Sequence, residues 1–248
     1  ASSSGKFYGN SFGIGTGIEY KFYKKLKAFS SIYFPLGPGY NSFDHYLNFY
    51  RKPIYNAGIV YSLDTRFSVN TGLTNGFGLS PSIGTLTLPS SDEILYKATL
   101  IYRPSNIEIY ENNTIRKEKL RLGGLSVSTA EPLNSGEKKV TYSLNNNGTW
   151  SNKIEWGASK KVSFDAGFSS IGQNSLLGKA KEVDYHDLNK LFLRGGIKAN
   201  LLSQANGDFI TSSARLSAGR LRGWGWLFTE LANTYSISDQ LSLNVNPK

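Results

Sequence analysis

The chain has 248 residues, with 28 Lys and Arg against 18 Asp and Glu, and it contains neither Cys nor Met. The lack of Cys excludes disulfides, thiolate metal sites and Cys nucleophiles. Apolar runs reach only about five residues, as at 57–61, which excludes a transmembrane helix of roughly 20 apolar residues. The net charge is +10, but the bases are dispersed, and the densest groups (24–27 and 116–121) are typical of solvated turns. No nucleic-acid partner is therefore expected.

Side-chain type alternates along most of the chain, beginning near residue 12. Even positions from Phe12 to Phe22 are apolar except Thr16, whereas the odd positions between them are Gly, Glu or Lys. Successive side chains on a strand point to opposite faces, so this pattern predicts a strand with one apolar face and one small or charged face. A helix would scatter both sets around its circumference.

The same alternation recurs and predicts about 14 strands, with no convincing long amphipathic helix. Three strands fit less well. In one, Phe29 and Tyr33 fall on the polar parity; in a second, the pattern slips at Gly123-Gly124, where a bulge is expected; in a third, it slips between Phe228 and Leu231. The predicted strands span residues 11–23, 26–34, 54–63, 66–74, 94–103, 106–111, 119–129, 139–145, 149–159, 161–171, 190–202, 209–221, 223–237 and 240–246.

Short turns and long loops alternate along the chain. This rhythm is typical of transmembrane β-barrels, which have tight turns on one side and long loops on the other. No Pro- or Ser-rich linker divides the sequence, so residues 1–248 are predicted to form a single β-barrel domain. The first connection is short, which puts both ends of the chain on the long-loop side. This parity suggests that one strand is missing at each end and that the chain is a fragment of a barrel of about 16 strands. The alternative is that the predicted strands include one too many or one too few.

The chemistry of the two faces indicates which one points outward. Aromatic residues lie near strand ends on the apolar face, where a membrane–water interface would hold them. The opposite face is rich in Gly, Ser, Thr and Asn, as a wet lumen requires. The sequence therefore predicts an all-β, antiparallel, up-and-down transmembrane barrel of about 12–16 strands; a soluble sugar- or lipid-binding β protein is the alternative. The aromatic residues concerned are Tyr20, Phe22, Tyr102, Trp150, Trp156, Trp224 and Trp226.

In this pattern the chain resembles Gram-negative outer-membrane β-barrel proteins of the porin type. The resemblance implies an outer-membrane location, contact with outer-membrane lipid, and passive passage of small solutes or anions, and it is compatible with a homo-oligomer. One feature departs from it. Barrels of this type typically end in a strand that closes on Phe or Trp, whereas this chain ends Val245-Asn246-Pro247-Lys248.

The polar parity also predicts the residues that line the lumen. Bases outnumber acids among them, and excess positive charge in a narrow water-filled pore favours anions. The sequence thus predicts a passive pore for small hydrophilic solutes with weak anion preference. If the bases pair across strands instead, a filled barrel acting as an anchor or adhesion scaffold is the alternative. The predicted pore-lining residues are Lys21, Arg66, Lys97, Arg103, Lys153, Arg194, Lys198, Arg215, Glu19 and Glu155; Lys27, Arg121, Glu108 and Asp165 share their parity.

No catalytic, metal or cofactor site is predicted. The two histidines, His45 and His186, fall in predicted loops, where a surface His is far commoner than a catalytic one, so no enzymatic activity is expected. The connections at 40–52 and 74–93 are too long for simple hairpins, and long structured loops are usually functional. At least one of them is expected to fold into the lumen, with 42–50 as the first choice.

Overall fold

The computed structural model describes residues 11–43, 49–76, 94–104, 130, 133–146, 148, 150–170, 192–221, 224–238 and 240–247. Within these residues the regular structure is β, apart from one 3-10 turn at Gln204–Asn206. Two short strands, β3 (Ser42–Phe43) and β4 (Phe49–Tyr50), form a separate pair. The barrel strands are β1 (Ser11–Tyr23), β2 (Leu26–Pro38), β5 (Ile54–Ser62), β6 (Phe67–Thr74), β7 (Leu95–Tyr102), β8 (Lys138–Asn145), β9 (Trp150–Gly157), β10 (Val162–Ser170), β11 (Phe192–Leu202), β12 (Thr211–Leu221), β13 (Trp224–Ser236) and β14 (Leu241–Pro247).

These strands close into an antiparallel up-and-down barrel, as the alternation predicts. β14 pairs with β1 from Tyr20–Leu241 to Ile14–Pro247. This pairing closes the barrel and removes the exposed sheet edges. β1 and β14 are therefore direct neighbours in the barrel. β7 pairs directly with β8, and the strands predicted at 106–111 and 119–129 fall outside the described residues.

The barrel is apolar outside and polar inside. Ile18, Tyr61, Leu100, Phe164 and Ile197 are predicted to face outward, and their exposed fractions are 38–47%. Val69 shares their parity and is half-buried. The neighbouring polar residues are enclosed: Glu19 and Lys97 are 1% and 5% exposed. The predicted facing of the strands is therefore confirmed.

Aromatic residues gather at both ends of this outward face, with a band of aliphatic side chains between them. At the short-turn end, Phe67 stacks on Tyr102 with ring centroids 4.6 Å apart, and Phe209 stacks on Tyr235 at 5.0 Å. The side chains of Trp224 and Trp226 are not among those described. The short-turn end carries Tyr20, Phe22, Tyr61, Phe67, Tyr102, Trp156, Phe164, Phe209 and Tyr235, and the long-loop end carries Phe12, Phe34, Tyr55, Tyr96, Trp150 and Phe168.

Three aromatic side chains lie inside the barrel, where the sequence pattern expected polar ones. Phe29, Tyr33 and Phe228 are all buried. The strand register is continuous through these positions, so their parity is not a slip. Glycines on the neighbouring strands leave space for two of these rings. Phe29 lies against Gly58, and a side chain on Gly13 would collide with the ring of Tyr33. The rings of Phe29 and Tyr33 fill lumen space that these glycines leave open.

Side-chain hydrogen bonds fix several connections at the ends of the barrel. In the turn between β5 and β6, the Asp64 carboxylate accepts the backbone N–H groups of Arg66 and Phe67 at 2.7 and 2.6 Å. At the long-loop end, the Asn41 amide donates to the Lys52 carbonyl, and the Asn75 amide donates to the carbonyl of Pro53. Because these amides satisfy backbone groups, they fix where the adjacent loops leave the strands.

Candidate functional site in the lumen

One half of the lumen wall, formed by β8 to β13, carries a connected group of charges. On its β8–β9 side, Glu155 accepts from two lysines: Lys139 Nζ lies 2.5 Å and Lys153 Nζ 2.7 Å from its carboxylate oxygens. Lys139 and Glu155 are cross-strand partners. Two cations thus share one carboxylate.

On the β10–β13 side, two arginines likewise share one carboxylate. Arg215 Nη2 donates to both carboxylate oxygens of Asp165 at 2.8 Å, and Arg194 Nη1 lies 3.6 Å from the same carboxylate. Arg215 Nη1 also lies 3.9 Å from Glu230. Together with Lys198, whose cross-strand partner is Arg215, these residues form what we call the charged wall: Lys139, Lys153, Glu155, Asp165, Arg194, Lys198, Arg215 and Glu230.

Glycines on the intervening strands let these side chains lie close to the wall. A Cβ on Gly196 would stand 2.9 Å from Asp165 Oδ1 and 2.7 Å from Ser217 Oγ. A Cβ on Gly167 would stand 3.2 Å from Arg194 Nε. Because a larger residue would push the charged groups apart, the glycines of the polar parity are part of the site.

The facing half of the lumen, formed by β14, β1, β2, β5 and β6, is mostly uncharged. Buried amides project into it from Asn56, Asn70, Asn244 and Asn246. Both amide atoms of Asn56 and the Nδ2 of Asn244 have no hydrogen-bond partner among the described residues. Buried polar groups in native proteins are almost always satisfied by protein or water. We infer that water hydrates this half of the lumen.

The connection from β7 to β8 enters the barrel at the short-turn end. Ala130 is fully buried, and its N–H donates to Thr234 Oγ1 on β13 at 2.9 Å. Leu133 and Glu137 are also buried, and the backbone of Leu133 and Asn134 lies over the inner face of Gly157 on β9. We call these residues, 130 and 133–137, the re-entrant stretch.

The re-entrant stretch differs from the loop that the sequence favours for the lumen. Of the predicted insertion at 42–50, the structure describes only the short β3–β4 pair, and residues 44–48 lie outside the described residues. The loop predicted at 74–93 is described only as far as Gly76. The described intrusion comes instead from the β7–β8 connection, which the sequence divides into two strands and a long turn.

All the predicted pore-lining residues except Arg66 fall into three groups. Lys153, Glu155, Arg194, Lys198 and Arg215 meet in the charged wall. Glu19 and Lys97 are buried in the lumen on β1 and β7, apart from that wall. Lys21 on β1 and Arg103 just beyond β7 are half-buried near the short-turn rim.

Arg66 lies at the short-turn rim and not on a barrel strand. β6 begins at Phe67, so Arg66 belongs to the preceding turn, and its side chain is exposed. Its carbonyl accepts the N–H of Arg103 at 2.9 Å, so the two bases lie together at this rim. Arg121, Glu108, His45 and His186 lie outside the described residues.

Sequence reasoning missed Lys139 and Glu230 as members of the site. Lys139 has the lumen parity of β8, so its position at the start of that strand could have revealed it. Glu230 was missed because the sequence pattern predicted a slip between Phe228 and Leu231. With that slip, Glu230 could not be assigned to the inward face. Its place in the charged wall required the continuous register of β12 and β13.

Within the described part of the chain, no group of three or more His, Cys, Asp or Glu side chains is arranged to hold a metal ion. No helix there is long and apolar enough to span a membrane. No protein-family model and no curated protein sequence matches the chain. The geometry of the barrel and its lumen is therefore the basis on which a function can be proposed.

Proposed function

We propose that this protein is a membrane-spanning barrel of an outer membrane that passes small hydrophilic solutes, with a preference for anions. The observation that carries the proposal is the inverted distribution of side chains, with aliphatic residues and two aromatic girdles outside and polar residues inside. Soluble proteins rarely expose a continuous apolar belt of this extent. Transmembrane barrels require it, because lipid surrounds the wall and aromatic rings favour both interfaces.

The charge of the lumen supports the anion preference. The charged wall contains five bases and three acids. Elsewhere in the lumen, Glu19 lies on β1 and Lys97 on β7, and Lys27 on β2 has the lumen parity, so bases remain in excess. A lumen with excess fixed positive charge attracts anions and repels cations. The surrounding lipid and small anions are the partners that this proposal implies.

The width of the barrel indicates that the path is narrow. Twelve strands about 4.8 Å apart and tilted by about 40° give a backbone diameter of roughly 24 Å. Side chains and the re-entrant stretch occupy part of that width. Such a lumen suits small solutes. Its fixed charges act across much of the free width, because the Debye length is about 8 Å at physiological salt.

A filled barrel acting as an anchor or adhesion scaffold is the second candidate. The observation that favours it is the low accessibility of the lumen: Arg215, Asp165 and Glu230 have side chains 4%, 8% and 0% exposed. The bases of the charged wall also pair with its acids, which is the arrangement that a structural plug would have.

Single-channel recording in planar lipid bilayers separates the two candidates. A pore gives discrete conductance steps and, in a salt gradient, a reversal potential on the anion side. A filled barrel inserts without conductance. Insertion is checked independently by quenching of Trp150 and Trp156 fluorescence with brominated lipids. A protein that neither conducts nor shows quenching would contradict the membrane proposal itself.

A further inference from the structure

We propose that the charged wall is a saturable binding site for an oxyanion, the carboxylate or phosphate group of a small solute. This inference deepens the proposed function, because it makes passage depend on a bound state in the lumen. The site is centred on Lys153 and Arg194, which flank Gly167 on the two neighbouring strands. The remaining members of the charged wall surround them.

The first argument is an excess of hydrogen-bond donors. Three lysines and two arginines supply about 19 N–H donors, whereas three carboxylates offer about 12 lone-pair positions. Arg215 Nε is buried and has no hydrogen-bond partner within the described chain. Buried donors need acceptors. An anionic solute supplies both these acceptors and the missing negative charge.

The second argument concerns access. The side chains of Lys139, Lys153 and Glu155 are 17–20% exposed, whereas those of Arg194 and Arg215 are 4–5% exposed. Water therefore reaches the lysine side of the wall while the guanidinium groups stay enclosed. An anion entering at the lysines meets the arginines behind them without having to separate Arg215 from Asp165.

The third argument identifies the ligand chemistry. Guanidinium groups present a planar fork that matches carboxylate and phosphate oxygens, and such charge-assisted contacts are short and strong. Chloride cannot use the fork in this way. Neutral sugars would leave the excess charge uncompensated. The site should therefore distinguish oxyanions from chloride of equal charge.

The test is isothermal titration calorimetry on the full chain in detergent micelles, with phosphate, acetate and chloride as separate titrants. Phosphate or acetate is expected to bind saturably, and the tighter of the two identifies the group. Lys153→Gln should weaken this binding about tenfold, the loss of one charge-assisted contact. Arg194→Lys keeps the charge but loses the fork, and it should reduce the preference for oxyanions over chloride.

Lys160→Gln is the matched control, because Lys160 is exposed in the turn between β9 and β10 and its loss changes the net charge equally. Binding that is absent, or that Lys153→Gln and Lys160→Gln weaken alike, would overturn the site. Saturable binding without bilayer conductance would uphold the site and refute the pore. Conductance without saturable oxyanion binding would support the pore and refute the binding site.

Discussion

Arg215 on β12 reaches past β11 to Asp165 on β10, and its Nη2 lies 2.8 Å from both carboxylate oxygens. The two residues are not on neighbouring strands. The strand between them carries Gly196 at the crossing point, where a Cβ would stand 2.9 Å from Asp165 Oδ1. The ion pair therefore depends on Gly196, although Gly196 takes no part in the hydrogen bonds between Arg215 and Asp165.

Replacing Gly196 with Ala should destabilise the barrel by about 1–3 kcal/mol, because the added methyl group must displace Asp165 or Ser217. The measurement is urea unfolding in lipid vesicles, followed by Trp fluorescence. Gly195→Ala is the matched control, since the nearest atom to its Cβ would be 3.7 Å away. Equal effects of the two substitutions would contradict the proposed crowding.

Reversing the charge of two lumen lysines should move the ion selectivity. Lys97→Glu with Lys198→Glu turns two positive charges into negative ones, so the reversal potential in a salt gradient should shift toward cations. The shift should be largest at low ionic strength, where the Debye length is long. A reversal potential that does not move would place these residues outside the conduction path and favour the filled barrel.

The hydrogen bond from Ala130 to Thr234 should anchor the re-entrant stretch, and Thr234→Val should loosen it. Thr234 Oγ1 accepts the Ala130 N–H and donates to Asn244 Oδ1 at 2.6 Å. Losing both contacts leaves a buried donor unsatisfied, which costs about 1–3 kcal/mol. We expect faster proteolysis of the re-entrant stretch in the folded protein. Ser236→Ala on the same strand is the control, and identical digestion of Thr234→Val and wild type would show that the contact is not an anchor.

The aromatic filling of the lumen can be tested at Phe29. Phe29→Ala removes a ring from beside Gly58, so we expect a larger single-channel conductance. We also expect the free energy of unfolding to fall by up to about 5 kcal/mol, with a smaller loss if water fills the space. Phe22→Ala, on the outward face, is the matched control and should leave conductance unchanged. A lower stability with unaltered conductance would mean that Phe29 does not border the path.

The β5–β6 turn should show a pH dependence traceable to Asp64. The N–H groups of Phe67 and Arg66 lower the pKa of this carboxyl below its ordinary value of 3.8. A lowered folded-state pKa contributes stability that is present above the unfolded-state pKa and is lost as pH falls through the folded-state value. The stability difference between wild type and Asp64→Ala should therefore be largest near neutral pH and shrink in strong acid. Thr65→Ala, in the same turn, should show no such pH dependence in a thermal unfolding series.

The sequence by itself determined the strands and their faces. Period-two alternation specifies which side chains share a face, so Ile18 and Glu19 could be assigned to opposite sides without coordinates. Lipid and water act on each strand separately, which makes this signal local. For that reason the bounds of β1 agree with the prediction, and the other described barrel strands differ from theirs by only a few residues.

Only the tertiary structure decided how many strands close the barrel and which charges meet. Closure depends on the pairing of β1 with β14, which are far apart in sequence, and loop rhythm alone suggested further strands. Phe29 broke the pattern because a lumen can enclose an aromatic ring where a facing glycine leaves space, and Phe228 because the continuous register of β12 and β13 turns it inward. Likewise, the pairing of Arg215 with Asp165 across Gly196 depends on three strands in register. A linear pattern records which face each residue occupies but not its distance from the others.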